Sequence, residues 1–238
     1  MNPFPQGGLA LIIGAQGGIG QALTRHADQL GQFTQTLGLS RHSSPPLDLL
    51  NEASIAEAAT HIGQHLKQHE QALRAVIVAT GFLHGPTGQP EKSWQQLNAA
   101  HMAHSFAINV IGPALLAKHF LPLLPSDGKA VFAVLSAKVG SIGDNHLGGW
   151  YSYRAAKAAL NQVVRTASIE LKRKKPQALC VAMHPGTVNT GLSAPFAKTG
   201  LQVQSPDEAA AAIWATLGRL DASSSGQFLN QHGDILPW

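Results

Sequence analysis

The sequence has little cysteine and little charge. Its one cysteine among 238 residues, Cys180, excludes an intramolecular disulfide, and its place in an apolar run predicts a buried strand residue rather than a nucleophile. Charged residues make up 13% of the chain. This excludes a charge-driven disordered chain and disfavours a solvated coiled coil. Hydrophobic residues, at 44%, are sufficient for a large buried core.

The features of membrane and nucleic-acid proteins are also scarce. No run of 18 apolar residues is present, which predicts no membrane span, and residues 1–8 have no signal-like pattern, which predicts a cytoplasmic protein. The net charge is +4, and the basic run at 172–175 is typical of a helix end, so we expect no nucleic-acid partner. The twelve histidines are scattered without cysteine or carboxylate partners, so we expect no metal.

Short apolar runs alternate with helical patterns along the chain, and neither a repeat nor a linker interrupts them. The last helix begins with a capping box and a proline, Ser205-Pro206-Asp207-Glu208. The pattern predicts one α/β domain over 1–238, doubly wound around a mainly parallel sheet. We predict strands at 9–13, 33–39, 75–79, 130–135, 179–183 and 227–229, and helices at 18–30, 52–69, 98–121, 151–173 and from 206 onward.

The turn between the first strand and the first helix is rich in glycine, with the spacing G-x-x-x-G-x-G. Exposed N–H groups at a helix N-terminus favour a dianionic pyrophosphate, and glycine lets the phosphate approach the backbone. A tight turn without a ligand is the alternative, but the strand–turn–helix context favours dinucleotide binding. The predicted cofactor contacts in this turn are Gly14, Gln16, Gly17, Gly18, Ile19 and Gly20.

Polar residues at four positions suggest acid–base chemistry. Tyr153 and Lys157 are one helical turn apart, so the cation is expected to lower the tyrosine pKa and make the phenol a proton donor or acceptor. Ser136 follows the fourth strand, at the sheet edge where open α/β folds bind ligands, with Ser141 as the competing serine. Asn109, in an apolar helix, either makes local bonds that bend the helix or serves a water or lysine relay.

The order of the glycine turn, Asn109, Ser136, Tyr153 and Lys157 resembles the short-chain dehydrogenase/reductase family over nearly the whole chain. The resemblance implies a Rossmann-type fold with a seven-stranded sheet, a nicotinamide cofactor and hydride transfer. It further implies that Tyr153 is the general acid/base and that Lys157 binds the nicotinamide ribose and lowers the tyrosine pKa. Ser136 would hold the reacting oxygen, and Asn109 would support a proton relay.

Other segments extend the resemblance. After the fifth predicted strand, a Pro-Gly turn would meet the carboxamide and phosphates through Pro185, Gly186, Val188 and Thr190. Thr80 and Gly81 stand where the family commonly has Asn-Ala-Gly, which keeps the glycine beside the cofactor but loses an amide. A longer segment at 140–150 and the Leu-Pro-Trp ending are most similar to the subgroup related to the bacterial C-factor protein.

The end of the second strand bears on the choice of cofactor. NAD sites usually have an acidic residue here, which accepts hydrogen bonds from the ribose hydroxyls. This chain has Ser40 and Arg41, a small donor and a planar cationic fork suited to a 2′-phosphate, so we predict NADPH over NADH. The alternative is that Arg41 is a solvated loop residue. By family pattern, Asp48 and Leu49 lie at the adenine ring.

The remaining predictions concern substrate and assembly. Phe82, Leu83, Trp150 and Phe196 would wall the pocket, which favours an apolar ketone, aldehyde or secondary alcohol as substrate of an NADP-dependent oxidoreductase. The competing hypothesis is a non-catalytic dinucleotide-binding signalling or regulatory protein of C-factor type, which would not need all four catalytic positions. The resemblance also implies a homodimer or homotetramer that pairs through the helices at 98–121 and 151–173.

Overall fold

The computed structural model describes residues 4–86, 88–196 and 203–238. Six parallel strands form one sheet in the order β2-β1-β3-β4-β5-β6. In chain order the elements are β1 (Leu9–Ile13), α1 (Gly18–Gln29), β2 (Gln35–Leu39), α2 (Glu52–Gln68), β3 (Leu73–Val78), α3 (Ala99–Phe106), α4 (Gly112–Phe120), β4 (Ala130–Leu135), α5 (Tyr151–Lys174), β5 (Ala178–His184), α6 (Pro206–Arg219) and β6 (Phe228–Asn230).

Helices cover both faces of the sheet, as the continuous apolar strands require. Every residue of β1, β3 and β4 is buried. On one face, α2, α4 and α5 pack on the sheet through residues such as Ile62, Phe120 and Leu160. On the other face α1 and α6 pack together, and the Trp214 indole donates to the Leu23 carbonyl at 3.0 Å. The doubly wound parallel architecture predicted from the sequence is confirmed.

Within the described residues the sheet has six strands, so the expected count of seven is wrong. The chain between β2 and α2 forms turns instead of a further strand beside β2. Pro45 and Pro46 lie in this segment, and proline has no N–H to donate to a strand ladder. The Leu47 N–H donates back to the Ser40 carbonyl at 2.8 Å, which closes the segment on itself.

The long helix predicted at 98–121 is interrupted. Residues Ala107–Ile111 form a π-helical turn between α3 and α4, in which the Gly112 N–H donates to the Ala107 carbonyl five residues back. The run Ala99–Leu123 is long enough to span a membrane, and an 18-residue stretch within it reaches a mean hydropathy of 1.4. Leu116 and Phe120 are nevertheless fully buried against the sheet, as in a core helix.

The strand order places a cleft at the carboxyl edge of the sheet. From β1 the chain moves outward to β2 and then returns to β3 on the other side of β1, and open α/β sheets bind ligands at such a switch point. The glycine-rich turn follows β1, the Thr80 loop follows β3, and Ser136 follows β4. The topology therefore brings the predicted site residues to one edge.

Candidate active site

The glycine-rich turn is held in a shape that excludes side chains. Gly14 has φ +86°, and the Gly17 N–H donates to the Gly14 carbonyl at 3.0 Å. A Cβ on Gly20 would lie 2.1 Å from that carbonyl oxygen. Gln16, Gly17 and Gly18 are exposed, and no side chain within the described chain caps α1 at Gly17. The first N–H groups of α1 therefore face the cleft, while Ile19 packs on the α1–α6 core.

Asn109 ties the π turn to the loop after β3. Its Oδ1 accepts from the Phe82 N–H at 3.0 Å, and its Nδ2 donates to the Phe82 carbonyl at 2.7 Å and to Ser105 Oγ at 3.2 Å. Gly81 lies under this contact, since a Cβ there would be 3.7 Å from Asn109 Oδ1. The buried amide thus fixes the position of the Thr80–Phe82 loop.

Ser136 is the first residue after β4, and its hydroxyl points at α5. Its N–H donates to the Met183 carbonyl at 2.8 Å, and its Oγ donates to Asn161 Oδ1 at 2.7 Å. The competing serine, Ser141, is occupied elsewhere. It donates to the Trp238 backbone oxygen at 3.3 Å and accepts from the Asp144 N–H at 3.0 Å. Of the two serines, Ser136 is the one at the sheet edge.

Tyr153 and Lys157 share one face of α5. Lys157 Nζ lies 5.7 Å from the centre of the Tyr153 ring and donates to the Leu135 carbonyl at 2.9 Å, next to Ser136. Burial lowers the pKa of Lys157 to about 7 and raises the pKa of Tyr153 above its ordinary value. In the protein without cofactor the pKa of Tyr153 is therefore raised, opposite to the direction expected from the nearby cation, because burial disfavours the phenolate.

The Pro-Gly turn after β5 is braced from within. Gln204 Nε2 donates to the Pro185 carbonyl at 2.5 Å, and Gly186 has φ +82°. Ser193 Oγ binds the Val188 carbonyl and lies 3.2 Å from Thr190 Oγ1. The turn also meets the glycine-rich turn, because a Cβ on Gly18 would lie 3.1 Å from Thr190 Cγ2.

The segment after β2 lies at the far end of the cleft. Ser40 Oγ accepts from the His42 N–H at 3.1 Å, and Asp48 Oδ1 accepts from the Leu50 N–H at 3.0 Å. Arg41 is exposed and makes no hydrogen bond or ion pair with residues 4–86, 88–196 or 203–238. Leu49 packs against Gly112 at the start of α4. A free guanidinium and a fixed hydroxyl are thus presented together.

Aromatic side chains stand around the tyrosine. The Trp150 ring lies 6.3 Å from Tyr153 and 5.4 Å from Phe196, and Phe196 lies 5.3 Å from His84, centre to centre. Trp150 has φ 52°, and its N–H donates to the Glu91 carbonyl at 2.5 Å. The wall predicted from the sequence therefore includes Trp150 and Phe196 and gains His84.

Two polar residues escaped the sequence analysis. Asn161, on α5, is the partner of the Ser136 hydroxyl. Glu91 is buried at the N-terminus of α5, where its carboxylate accepts from the Ser152 N–H at 3.1 Å and from the Ser152 hydroxyl. Asn161 lies one helical turn beyond Lys157, so the sequence could have indicated it as a polar residue on the same helix face as Tyr153 and Lys157. No sequence pattern around Glu91 indicated its role.

The cleft fits a dinucleotide. The close approach of Gly14 and Gly20 leaves backbone N–H groups open to a phosphate, and the buried Thr80 Oγ1, beside Gly14, has no partner among the described residues. No group of three His, Cys, Asp or Glu side chains within the described ranges is placed to hold a metal ion. A profile of the family described as short chain dehydrogenase matches residues 8–200. The chain belongs to the short-chain dehydrogenase family.

This short-chain dehydrogenase is similar to proteins of several organisms. It is 34% identical to C-signal of Myxococcus xanthus over 140 residues, which are 58% of this chain and 80% of that protein. It is 27% identical to 1-hydroxy-2-glutathionyl-2-methyl-3-butene dehydrogenase of Rhodococcus sp. (strain AD45), over 96% and 98% of the two chains. A solved structure of NADPH-bound carbonyl reductase from chicken fatty liver matches with TM-score 0.85 and 25% identity, over 100% of this chain and 96% of that one.

These matches confirm two of the predictions drawn from the sequence. The chain is an NAD(P)-dependent oxidoreductase of the short-chain dehydrogenase family. The likeness to a C-factor-type subgroup is confirmed by the C-signal relative.

Proposed function

We propose that this short-chain dehydrogenase reduces the carbonyl group of small apolar molecules with NADPH and catalyses the reverse oxidation of secondary alcohols. The arrangement on α5 supports the proposal most directly. Lys157 Nζ is bonded to the Leu135 carbonyl at 2.9 Å and lies 5.7 Å from the Tyr153 ring centre. Lys157 thereby joins the carboxyl end of β4, where Ser136 follows, to the Tyr153 ring beside it.

Each residue has a distinct role in this proposal. A nicotinamide dinucleotide bound in the cleft supplies the hydride that the carbonyl carbon gains. Tyr153, whose pKa is raised by burial, is a neutral phenol that donates its proton to the carbonyl oxygen and then regains one from solvent. Ser136 holds that oxygen by a hydrogen bond. Lys157 binds the nicotinamide ribose, and Asn109 positions the Thr80–Gly81 loop beside the cofactor.

The phosphates and adenosine of the cofactor would lie along the rest of the edge. The exposed backbone of Gln16–Gly18 and the Thr190 hydroxyl suit the pyrophosphate. Arg41 and Ser40 suit a 2′-phosphate, and the segment holds no acidic side chain before Asp48 that would repel it. We therefore propose NADPH in preference to NADH, with Asp48 and Leu49 near the adenine.

The side chains around Tyr153 indicate the class of substrate. The aromatic wall of Trp150 and Phe196 favours apolar carbonyl compounds over sugar phosphates.

Ile111 and Ile169 are exposed on the helical run Ala99–Leu123 and on α5, consistent with a homodimer or homotetramer. Leu116 and Val164, two other apolar residues of these helices, are buried within the chain and contribute nothing to such an interface. A cytoplasmic location remains a prediction.

The test is NADPH consumption over a panel of apolar ketones and aldehydes, with sugar phosphates and NADH run in parallel. We expect turnover of apolar carbonyl compounds and a lower KM for NADPH than for NADH. The likeness to C-signal supports one other candidate, a non-catalytic dinucleotide-binding signalling protein. Saturable NADPH binding without turnover of any carbonyl compound or alcohol would favour that candidate.

A further inference from the structure

Asn161 is the described partner of the Ser136 hydroxyl. The Ser136 Oγ to Asn161 Oδ1 distance is 2.7 Å, and the two residues are 4% and 2% exposed. The Ser136 backbone is already fixed, because its N–H donates to the Met183 carbonyl at 2.8 Å. The direction of the hydroxyl is therefore the one freedom that Ser136 retains, and Asn161 sets it.

The placement of Asn161 on α5 aligns it with the proposed catalytic residues. Tyr153, Lys157 and Asn161 follow at intervals of four residues, so they share one face of the helix. Lys157 binds the carbonyl of Leu135, and Asn161 binds the hydroxyl of the next residue, Ser136. One face of α5 thus fixes both the last residue of β4 and the side chain that follows it.

A buried asparagine at this position lowers the stability of the folded protein unless its amide has a function. Asparagine is a poor helix former in a helix interior, and Asn161 Nδ2 is buried with no partner in the part of the chain that the structure describes. An aliphatic residue would avoid both penalties. Because Nδ2 makes no hydrogen bond among the described residues, turning the amide by 180° would break no bond other than the one to Ser136 and would let Nδ2 donate to that hydroxyl. A Ser136 hydroxyl that receives a bond from Nδ2 can itself donate to a substrate carbonyl.

We propose that Asn161 is a positioning residue that orients the Ser136 hydroxyl toward the substrate oxygen. The inference rests on the proposed function, in which Ser136 holds that oxygen. Asn161 does not touch the substrate and acts only through Ser136. Its removal should therefore matter only while the serine hydroxyl is present.

The experiment is a double-mutant cycle on a carbonyl substrate that the wild type reduces. Asn161→Leu keeps the branched shape of the side chain, adds some volume and removes the hydrogen-bonding groups, and it should lower kcat about tenfold, the effect of one hydrogen bond, with the Kd for NADPH unchanged. Ser136→Ala should lower kcat about a hundredfold. The double variant should lose about a hundredfold, not the roughly thousandfold loss that independent effects would give.

Two controls separate this role from a structural one. Ser168→Ala removes another buried hydroxyl of α5, which donates to the Arg165 carbonyl at 2.7 Å, and it should leave kcat within about twofold. Thermal denaturation without cofactor gives a second readout. There the Tm losses of Ser136→Ala and Asn161→Leu, about 2–4 °C each, should sum to more than the loss of the double variant.

The outcomes are distinct. If Ser136→Ala leaves kcat unchanged, the proposed role of Ser136 fails, and the inference fails with it. If Ser136→Ala is impaired but Asn161→Leu keeps wild-type kcat, or the two losses multiply, only the role of Asn161 is overturned. Should Asn161→Leu not fold, Asn161→Ala takes its place in the same cycle and is held to the same criteria.

Discussion

At the proposed catalytic end of the cleft (Ser136, Tyr153 and Lys157), Ser136 and Lys157 are buried and hydrogen-bonded, and the half-buried Tyr153 ring contacts Trp150 and Lys157. At the adenosine end (residues 40–49), Arg41 is exposed and unpaired within the described chain. Lys157 and Ser136 each bind another part of the protein, at 2.9 and 2.7 Å. Residues 40–49 bind mostly each other, through short-range turns such as Ser43 Oγ to the Ser40 carbonyl at 2.8 Å.

The difference separates two ways of making a site. Folding fixes the catalytic end, so its geometry exists before any ligand arrives, and a change there should alter turnover. At the adenosine end Arg41 is exposed, and under the proposed function its partner would be the cofactor, so a change there should alter affinity. The following predictions test that separation, from the largest expected effect to the smallest.

Tyr153→Phe tests the catalytic end. Only a hydroxyl is lost, so the fold should persist, but turnover should fall at least about a hundredfold because the proton donor is gone. NADPH binding, measured by fluorescence titration, should remain within about threefold of the wild type, since one neutral contact is removed. The matched control is Tyr151→Phe, at the other tyrosine, on the first turn of α5. Near-wild-type turnover of Tyr153→Phe would refute the assignment.

Arg41→Ala tests the adenosine end. One charge-assisted contact is lost, so the Kd for NADPH should rise about ten- to a hundredfold while that for NADH barely changes. Turnover at saturating NADPH should stay near wild type. Arg25→Ala is the control, because it removes an exposed arginine that pairs with Asp207 at 2.8 Å. Equal losses for both cofactors, or a wild type that prefers NADH, would contradict the role of Arg41.

The pH dependence should report Lys157. Burial lowers its pKa to about 7 in the protein without cofactor, so the ammonium is present below that pH and lost above it. The kcat/KM for NADPH refers to the free enzyme and should fall about tenfold per unit above pH 7 if the ammonium is required. A profile that stays flat from pH 6 to 9 would show that its charge is not needed.

Ser205→Ala should affect stability alone. Ser205 Oγ accepts from the Glu208 N–H at 3.2 Å, and Glu208 Oε2 accepts from the Ser205 N–H at 2.7 Å, which completes the capping box of α6. Its loss should cost about 1 kcal/mol, or about 2–4 °C in Tm. Neither KM nor kcat should change. A change in KM or kcat would mean that α6 couples the catalytic and adenosine ends, which would contradict the proposal that the two ends act separately.

Most of the fold could be predicted from the sequence, because most strands are short, continuous apolar runs. The run Ala130–Leu135 is wholly apolar and was predicted to the residue, and the capping box marked the start of α6. The expected seventh strand came from the family resemblance, and the chain forms turns instead in the segment that contains Pro45 and Pro46. The π turn at Ala107–Ile111 was not predicted, because the apolar periodicity of the run does not distinguish a π turn from the α-helix around it.

For the site, spacing predicted which residues meet but not their electrostatics. The interval from Tyr153 to Lys157 places both on one helix face, and the structure shows Lys157 over the tyrosine ring. The direction of the tyrosine pKa was missed, because burial is a property of the whole fold. Asn161 and Glu91 were missed because their partners lie 25 and 61 residues away in the chain.

Cys180 gives the protein a built-in reporter of unfolding. Its thiol is buried in β5, and burial raises its pKa to about 12. Because the thiolate is the reactive form, alkylating reagents should modify it only when the sheet opens around β5. The rate of labelling in the native protein therefore measures opening of the sheet at a single atom, without any engineered probe. Bound dinucleotide should slow that labelling in proportion to its occupancy, which allows cofactor affinity to be read without a substrate.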